Sequence, residues 1–174
     1  TAAIQAALDA LPALGGVVFM PPGVYRVSQT IVINKPGVTF QGSGSNVIYN
    51  GSTMLRWVGA SGGTVIKVTS GTYRQERSIL EKFTIEGTGA DIGIALNPDG
   101  NFQVETVLEN INIHRAAIGI AIGPASGDNQ TSEIVLRKIY TMNTYTAVLL
   151  RGIFTNVMTL YACVWLSIAV TKGN

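Results

Sequence analysis

The chain is poor in the residues that most chemistry needs. Its 174 residues include one cysteine, one histidine and ten acidic side chains. Cys163 alone allows no internal disulfide, and its apolar surroundings read as a buried thiol with no activating cluster. His114 alone cannot build a histidine metal cluster, and no metal site or cofactor is evident. Charged residues are only 13%, about half the usual share, so little of the chain is written for a solvated face. The twelve Lys and Arg are scattered and the net charge is +2, which leaves no footprint for nucleic acid. Long hydrophobic runs are missing too. The longest, Val157 to Val170, is too short for a membrane helix and carries Thr159, Tyr161 and Ser167. It reads as core strands, and no membrane insertion is expected. Gly42-Ser-Gly44 lacks the Lys and the following helix of a phosphate loop and reads as a turn.

What is present is a repeat. Ile79-Leu-Glu-Lys-Phe-Thr-Ile-Glu-Gly87 recurs as Val107-Leu-Glu-Asn-Ile-Asn-Ile-His-Arg115 and as Val135-Leu-Arg-Lys-Ile-Tyr-Thr-Met-Asn143. Leu80, Leu108 and Leu136 are therefore spaced by 28 residues. A period of this length with alternating apolar positions signals stacked supersecondary units, and here the unit reads as β. A second marker, Ile92-Gly-Ile-Ala-Leu-Asn-Pro98, matches Ile118-Gly-Ile-Ala-Ile-Gly-Pro124, with looser counterparts at Ala147-Val-Leu-Leu150 and Ile168-Ala-Val170. Each coil thus has at least two strands, and successive coils should stack about 4.8 Å apart by parallel pairing. The expected fold is all-β, a parallel β-helix. Leu80, Leu108 and Leu136 should form one internal ladder, and Phe83, Ile111 and Ile139 a second.

Ahead of the coils, Ile4, Ala7, Leu8 and Leu11 follow helical spacing, with Thr1 as N-cap and Pro12 as terminator. An amphipathic helix here would cover the open end of the first coil. The organisation is a capping helix over 1–14 and coils over 15–174. Short strands are expected at Val17 to Phe19, Val24 to Val27, Ile31 to Ile33 and Val38 to Phe40, each followed by turn residues. The chain opens on Thr1 and shows no signal peptide, which reads as a segment of a longer protein.

Aligning the repeats places outward residues in columns. Thr84, Asn112 and Tyr140 form one, Glu86, His114 and Met142 another, and Glu81, Glu109 and Arg137 a third. Glu81 and Glu109, one coil apart, would bring carboxylates to about 5 Å, the spacing of a retaining glycosidase; the alternative is a surface ladder relieved by Arg137. Glu86 and His114 are either an acid/base pair or plain neighbours on a solvent face. The turn-rich segment Thr69 to Ser78 carries Tyr73 and Arg74, candidates for substrate binding together with Tyr140. Tyr73, Tyr140, Tyr145 and Trp57 are sugar-stacking platforms or ordinary packing residues. Polarity fades up the outward columns toward Tyr140 and Met142, with Met158 and Leu160 expected next. Such a stripe suggests an interface between copies.

Thr1-Ala-Ala-Ile-Gln-Ala-Ala-Leu-Asp9 followed by Gly15-Gly-Val-Val-Phe-Met-Pro-Pro-Gly-Val-Tyr25 resembles the opening of the pectate-lyase superfamily domain, and Thr39-Phe-Gln-Gly-Ser-Gly44 resembles its next coil. The resemblance implies a right-handed parallel β-helix, often a homotrimer, of the kind found in polysaccharide lyases, glycoside hydrolases and phage tailspikes. It implies a polysaccharide or glycan partner and an extracellular or virion location. The Asn-Thr-Asp, Asp-Asp, Gly-His-Gly and Arg-Ile-Lys motifs of polygalacturonase-type members are absent from the sequence. Two functions follow as expectations. One is glycan binding or glycosidic-bond cleavage, with Glu81, Glu86, Glu109 and His114 as the catalytic candidates. The other is a non-catalytic structural or adhesive shaft.

Overall fold

The computed structural model describes residues 1–46, 52–70, 75–125, 130–151 and 155–167. The chain begins with α1 (Ala2–Asp9) and continues entirely in strands. These are β1 (Gly16–Met20), β2 (Gly23–Val27), β3 (Ile31–Ile33), β4 (Val38–Gly42), β5 (Thr53–Trp57), β6 (Gly63–Val68), β7 (Gln75–Glu76), β8 (Ile79–Glu86) and β9 (Ala90–Leu96). They are followed by β10 (Phe102–Val104), β11 (Val107–His114), β12 (Ile118–Ile122), β13 (Gln130–Thr144), β14 (Thr146–Leu150), β15 (Thr155–Tyr161) and β16 (Val164–Ser167). All pairings are parallel between described strands, and each strand bonds to its counterpart in the next coil. One sheet runs β3-β6-β9-β12-β14, so its five strands make four steps, and the solenoid completes about four turns.

Both repeat markers stack in register. Leu80 pairs with Leu108 and Leu108 with Leu136, all fully buried. Phe83, Ile111 and Ile139 form the second internal ladder, and Ile94 over Ile120 begins a third on the opposite wall. Phe40 meets the Phe83 ring edge-on with centroids 5.7 Å apart, a favoured aromatic arrangement. Ile168-Ala-Val170 lies outside the described residues. Met158 and Leu160 do not continue the Tyr140/Met142 face, because they pair with Ile134 and Leu136. Val164 and Leu166 take those places instead, since the last coil is shorter.

The repeat contains a corner that its residue types conceal. Lys82, Asn110 and Lys138, also spaced by 28, all have left-handed backbone with φ of 60°, 55° and 52°. Pairing skips these residues, so each strand bends there and the inward positions change from a spacing of three to a spacing of two. Non-glycine residues hold this conformation at a cost of about 1–2 kcal/mol. Lys138 is exposed, so Lys138→Gly is expected to stabilise the fold by about 1 kcal/mol, read from the urea midpoint. Destabilisation would mean that the lysine makes contacts outweighing its backbone strain.

The helix is shorter than the first dozen residues, ending at Asp9 rather than at Pro12. Thr1 is the N-cap residue, but its hydroxyl does not cap α1. It accepts from the Ser28 amide at 2.7 Å, tying the helix start to the first coil. Ile4 and Leu8 are buried against the core. At the other end the Lys35 ammonium donates to the carbonyls of Asp9 and Leu11, both at 2.6 Å, and so serves helix-terminal acceptors that lack intrahelical partners. Gln5 works as a one-residue strand. Its side-chain amide accepts from the Val32 N–H at 2.9 Å and donates to the Val32 carbonyl at 3.1 Å, closing the edge of β3.

Candidate functional site

The corner positions the candidate carboxylates. Leu80 points inward before it, so Glu81 points outward, and stacking brings Gln41, Glu81, Glu109 and Arg137 into one column. Each glutamate has a cation of its own. The Lys82 ammonium donates to Glu81 at 3.1 Å, and the Arg137 guanidinium donates to Glu109. Lys82 stands outside the column because it is the corner itself, yet it serves the residue beside it.

Glu86 and His114 are adjacent in the next column, with Arg56 in register below Glu86 and Met142 above His114. They do not lie on an open solvent face. Glu86 is 7% and His114 6% exposed. The Glu86 carboxylate accepts from the Thr88 hydroxyl at 2.5 Å and pairs with Arg115 at 3.5 Å. The Tyr140 ring stands edge-on to the His114 ring at 6.2 Å, while its hydroxyl donates to the Met142 sulfur at 3.8 Å. The neighbouring column is also covered. Ser45 donates to Asn110, and the main chain of Asn46 exchanges hydrogen bonds with the Thr84 hydroxyl. The segment after β4 therefore folds over outward residues that simple alternation assigns to solvent.

His114 Nε2 is buried without a hydrogen-bond partner. Burial is the main force holding the imidazole below its usual titration range. The Arg115 charge adds to this and the Glu86 carboxylate opposes it. The folded pKa lies below the unfolded value of about 6.5, so the unfolded chain takes up a proton that the fold resists. Stability is present above that range and is lost as pH falls through it. His114→Gln is expected to flatten the fall in unfolding free energy between about pH 7 and 5. Parallel pH profiles for the two proteins would assign the fall to other groups.

Tyr73 and Arg74 lie outside the described residues. Tyr140 is half-buried beside His114, and Tyr145 is exposed. Trp57 is a core residue. It is 6% exposed, its indole donates to the Ala60 carbonyl, and its ring lies where any side chain at Gly59 or Gly63 would collide. Cys163 is half-buried, and its thiol donates to the Leu136 carbonyl at 3.3 Å. Nothing in the residue types marks Arg115 or Thr88 as partners of Glu86. Arg115 does share the 28-residue offset with Asn143, and both have positive φ at strand ends. Among the described residues no group of three or more His, Cys, Asp or Glu is placed to hold a metal ion, and no helix is long and apolar enough to cross a membrane.

No family model and no curated protein sequence matches the chain. Among solved structures it is similar to ORF18 of Geobacillus virus E2, with a TM-score of 0.65 and 16% identity. The similarity covers 94% of this chain and 38% of that one, so the chain spans well under half of the phage protein's length. At this identity the likeness concerns the fold alone, and the fold is a parallel β-solenoid.

Proposed function

We propose that the chain is a structural shaft module of a larger phage-type surface protein. In this reading it assembles as a homotrimer on the virion, and other parts of the assembly carry out any glycan cleavage. The observation that carries the reading is the state of the carboxylates. A retaining pair needs one carboxyl free to hand over a proton and the other free to attack. Glu81 is bonded to Lys82, Glu109 to Arg137, and Glu86 to Thr88 and Arg115. Two of them, Glu109 with Arg137 and Glu86 with Arg115, bridge successive coils and suit a role in holding coils together. The fold likeness to a phage protein supports the virion context.

A second reading keeps the polysaccharide as a ligand. It is favoured by one cluster, in which Glu86, His114 and Tyr140 meet across three coils and Nε2 of His114 has no partner. The two readings part on a single experiment. The 174-residue chain is incubated with acidic and neutral polysaccharides while reducing ends and unsaturated products are followed. The shaft reading expects no turnover, and a change of about 1 kcal/mol or less in stability for Glu109→Gln, whose ion pair is partly exposed. Robust depolymerisation, abolished by Glu86→Gln or Glu109→Gln with the fold intact, would overturn it. Light scattering tests the assembly, with three chains expected and a monomer at tens of micromolar counting against it.

A further inference from the structure

The fold relieves one pair of stacked like charges and leaves another. Glu81 and Glu109 stand in register one coil apart, and Lys82 and Arg137 give each its own cation. Arg26 on β2 and Arg56 on β5 are also in register, so their Cα atoms lie about 4.8 Å apart. Both side chains leave the outer face, because their neighbours Val27, Leu55 and Trp57 are buried inward. Arg26 is exposed and Arg56 half-buried. Like charges set opposite each other on neighbouring strands destabilise a sheet. Among the described residues no carboxylate lies within ion-pair distance of either guanidinium. Glu86 follows Arg56 in register, yet its carboxylate engages Thr88 and Arg115 instead. The Arg56 guanidinium donates to the Met54 sulfur at 3.9 Å, a weak acceptor. Arg26, Arg56 and Arg115 thus set three positive charges around the single carboxylate of Glu86.

We propose that Arg26 and Arg56 form a clamp for a tetrahedral oxyanion, a sulfate or phosphate group. The stacked positive charges select an anion, and the shape of guanidinium selects its class. Each guanidinium presents a planar fork that takes a pair of oxygens. A carboxylate has one such pair and one charge, so an acidic side chain from elsewhere in the protein fills one fork and leaves the other. A tetrahedral oxyanion has oxygens for both forks and carries about two charges, matching the two cations. The place is built into the ladder, because β5 is paired on both sides, with β2 and with β8. Met54, two residues before Arg56 on the same face, is 3% exposed and gives the Arg56 stem a fixed neighbour. A bound anion turns the repulsion between these coils into a bridge, the part that Arg137 plays for Glu109.

NMR of the arginine Nε–H groups of the 174-residue chain tests the clamp. The probes are sodium sulfate, phosphate, acetate and chloride at matched ionic strength. Sulfate and phosphate should saturate the Arg26 and Arg56 signals together, with half-saturation at about 1–10 mM. Acetate and chloride should act at least about tenfold more weakly. Arg56→Lys keeps the charge but loses the fork, and should weaken sulfate binding about tenfold. Lys138→Gln removes one charge from β13, away from both strands, and should leave it unchanged. Urea midpoints give an independent reading, each taken against the unsubstituted chain in the same salt. Arg26→Gln should raise the midpoint in chloride, where it relieves repulsion, and lower it in about 50 mM sulfate, where it removes a ligand contact. A sulfated polysaccharide at equal sulfate concentration separates the sources. Tighter saturation of the same two signals assigns an ester group, and weaker saturation assigns the free ion. Shifts that do not saturate, acetate binding as tightly as sulfate, or an Arg26→Gln effect of one sign in both salts would overturn the proposal.

Discussion

Leu108→Ala is expected to lower the unfolding free energy by about 2–5 kcal/mol. Leu108 is fully buried between Leu80 in the coil below and Leu136 in the coil above. Truncation removes the transfer free energy of the lost carbons and leaves a cavity that neighbours cannot fill, because both coils are held at fixed spacing by main-chain hydrogen bonds. Interior coils of a solenoid contact only their neighbours, so the loss is expected to loosen two interfaces at once. Urea unfolding reads the effect as a lower midpoint with an unchanged slope. A cost below about 1 kcal/mol would place this leucine outside the core.

Gly42→Ala carries the second large effect, from crowding rather than from a void. A Cβ at Gly42 would lie 2.2 Å from the Lys82 carbonyl oxygen and 2.8 Å from the Thr53 Cβ. The first obstacle is backbone, and it is fixed, because the same Lys82 carbonyl accepts from the Gly44 amide at 2.9 Å. The corner at Lys82 thus sits directly over the end of β4. Overpacking of this kind costs about 1–3 kcal/mol, and an immovable carbonyl puts Gly42→Ala at about 3 kcal/mol or more. Gly44 is the internal control, since nothing lies within 4 Å of a Cβ there. Gly44→Ala should change little, and equal effects at the two glycines would remove the close approach from the account.

That pair of glycines also shows what the sequence makes legible. Gly42-Ser-Gly44 is readable as a turn, but the spacing alone does not reveal which glycine is packed under another coil. The inward ladders are legible because burial repeats every 28 residues with the same residue types. The second wall is legible for the same reason, with Ile92 over Ile118 and Leu96 over Ile122. The corners are not, because Lys82 and Lys138 are long charged residues in a conformation more usual for glycine or asparagine. Only Asn110 hints at it. Glu86, Thr84 and His114 are outward by alternation, yet they are buried because packing from loops and neighbouring side chains overrides a period of two. Alternation reports which way a side chain leaves the strand, and it carries no information about what lies above it. The ion partners of the carboxylates are split in the same way. Arg137 follows from the register, whereas Lys82 and Arg115 depend on the corner and the strand end.

A 28-residue register sets Glu109 directly beneath Arg137 and makes its carboxylate a contact between successive coils. Disulfide trapping tests it most directly. With Cys163→Ser as background, Glu109→Cys combined with Arg137→Cys should crosslink within one chain under mild oxidation, because register partners lie inside the Cα range of about 4.4–6.8 Å that a disulfide spans. Glu109→Cys combined with Glu133→Cys, four positions out of register, should stay reduced. Mass spectrometry of the unfolded monomer counts the bonds. A crosslink at 109–137 alone is the predicted result; a reduced 109–137 pair, or equal crosslinking of both pairs, would contradict the stacked register on which the fold and its proposed role depend.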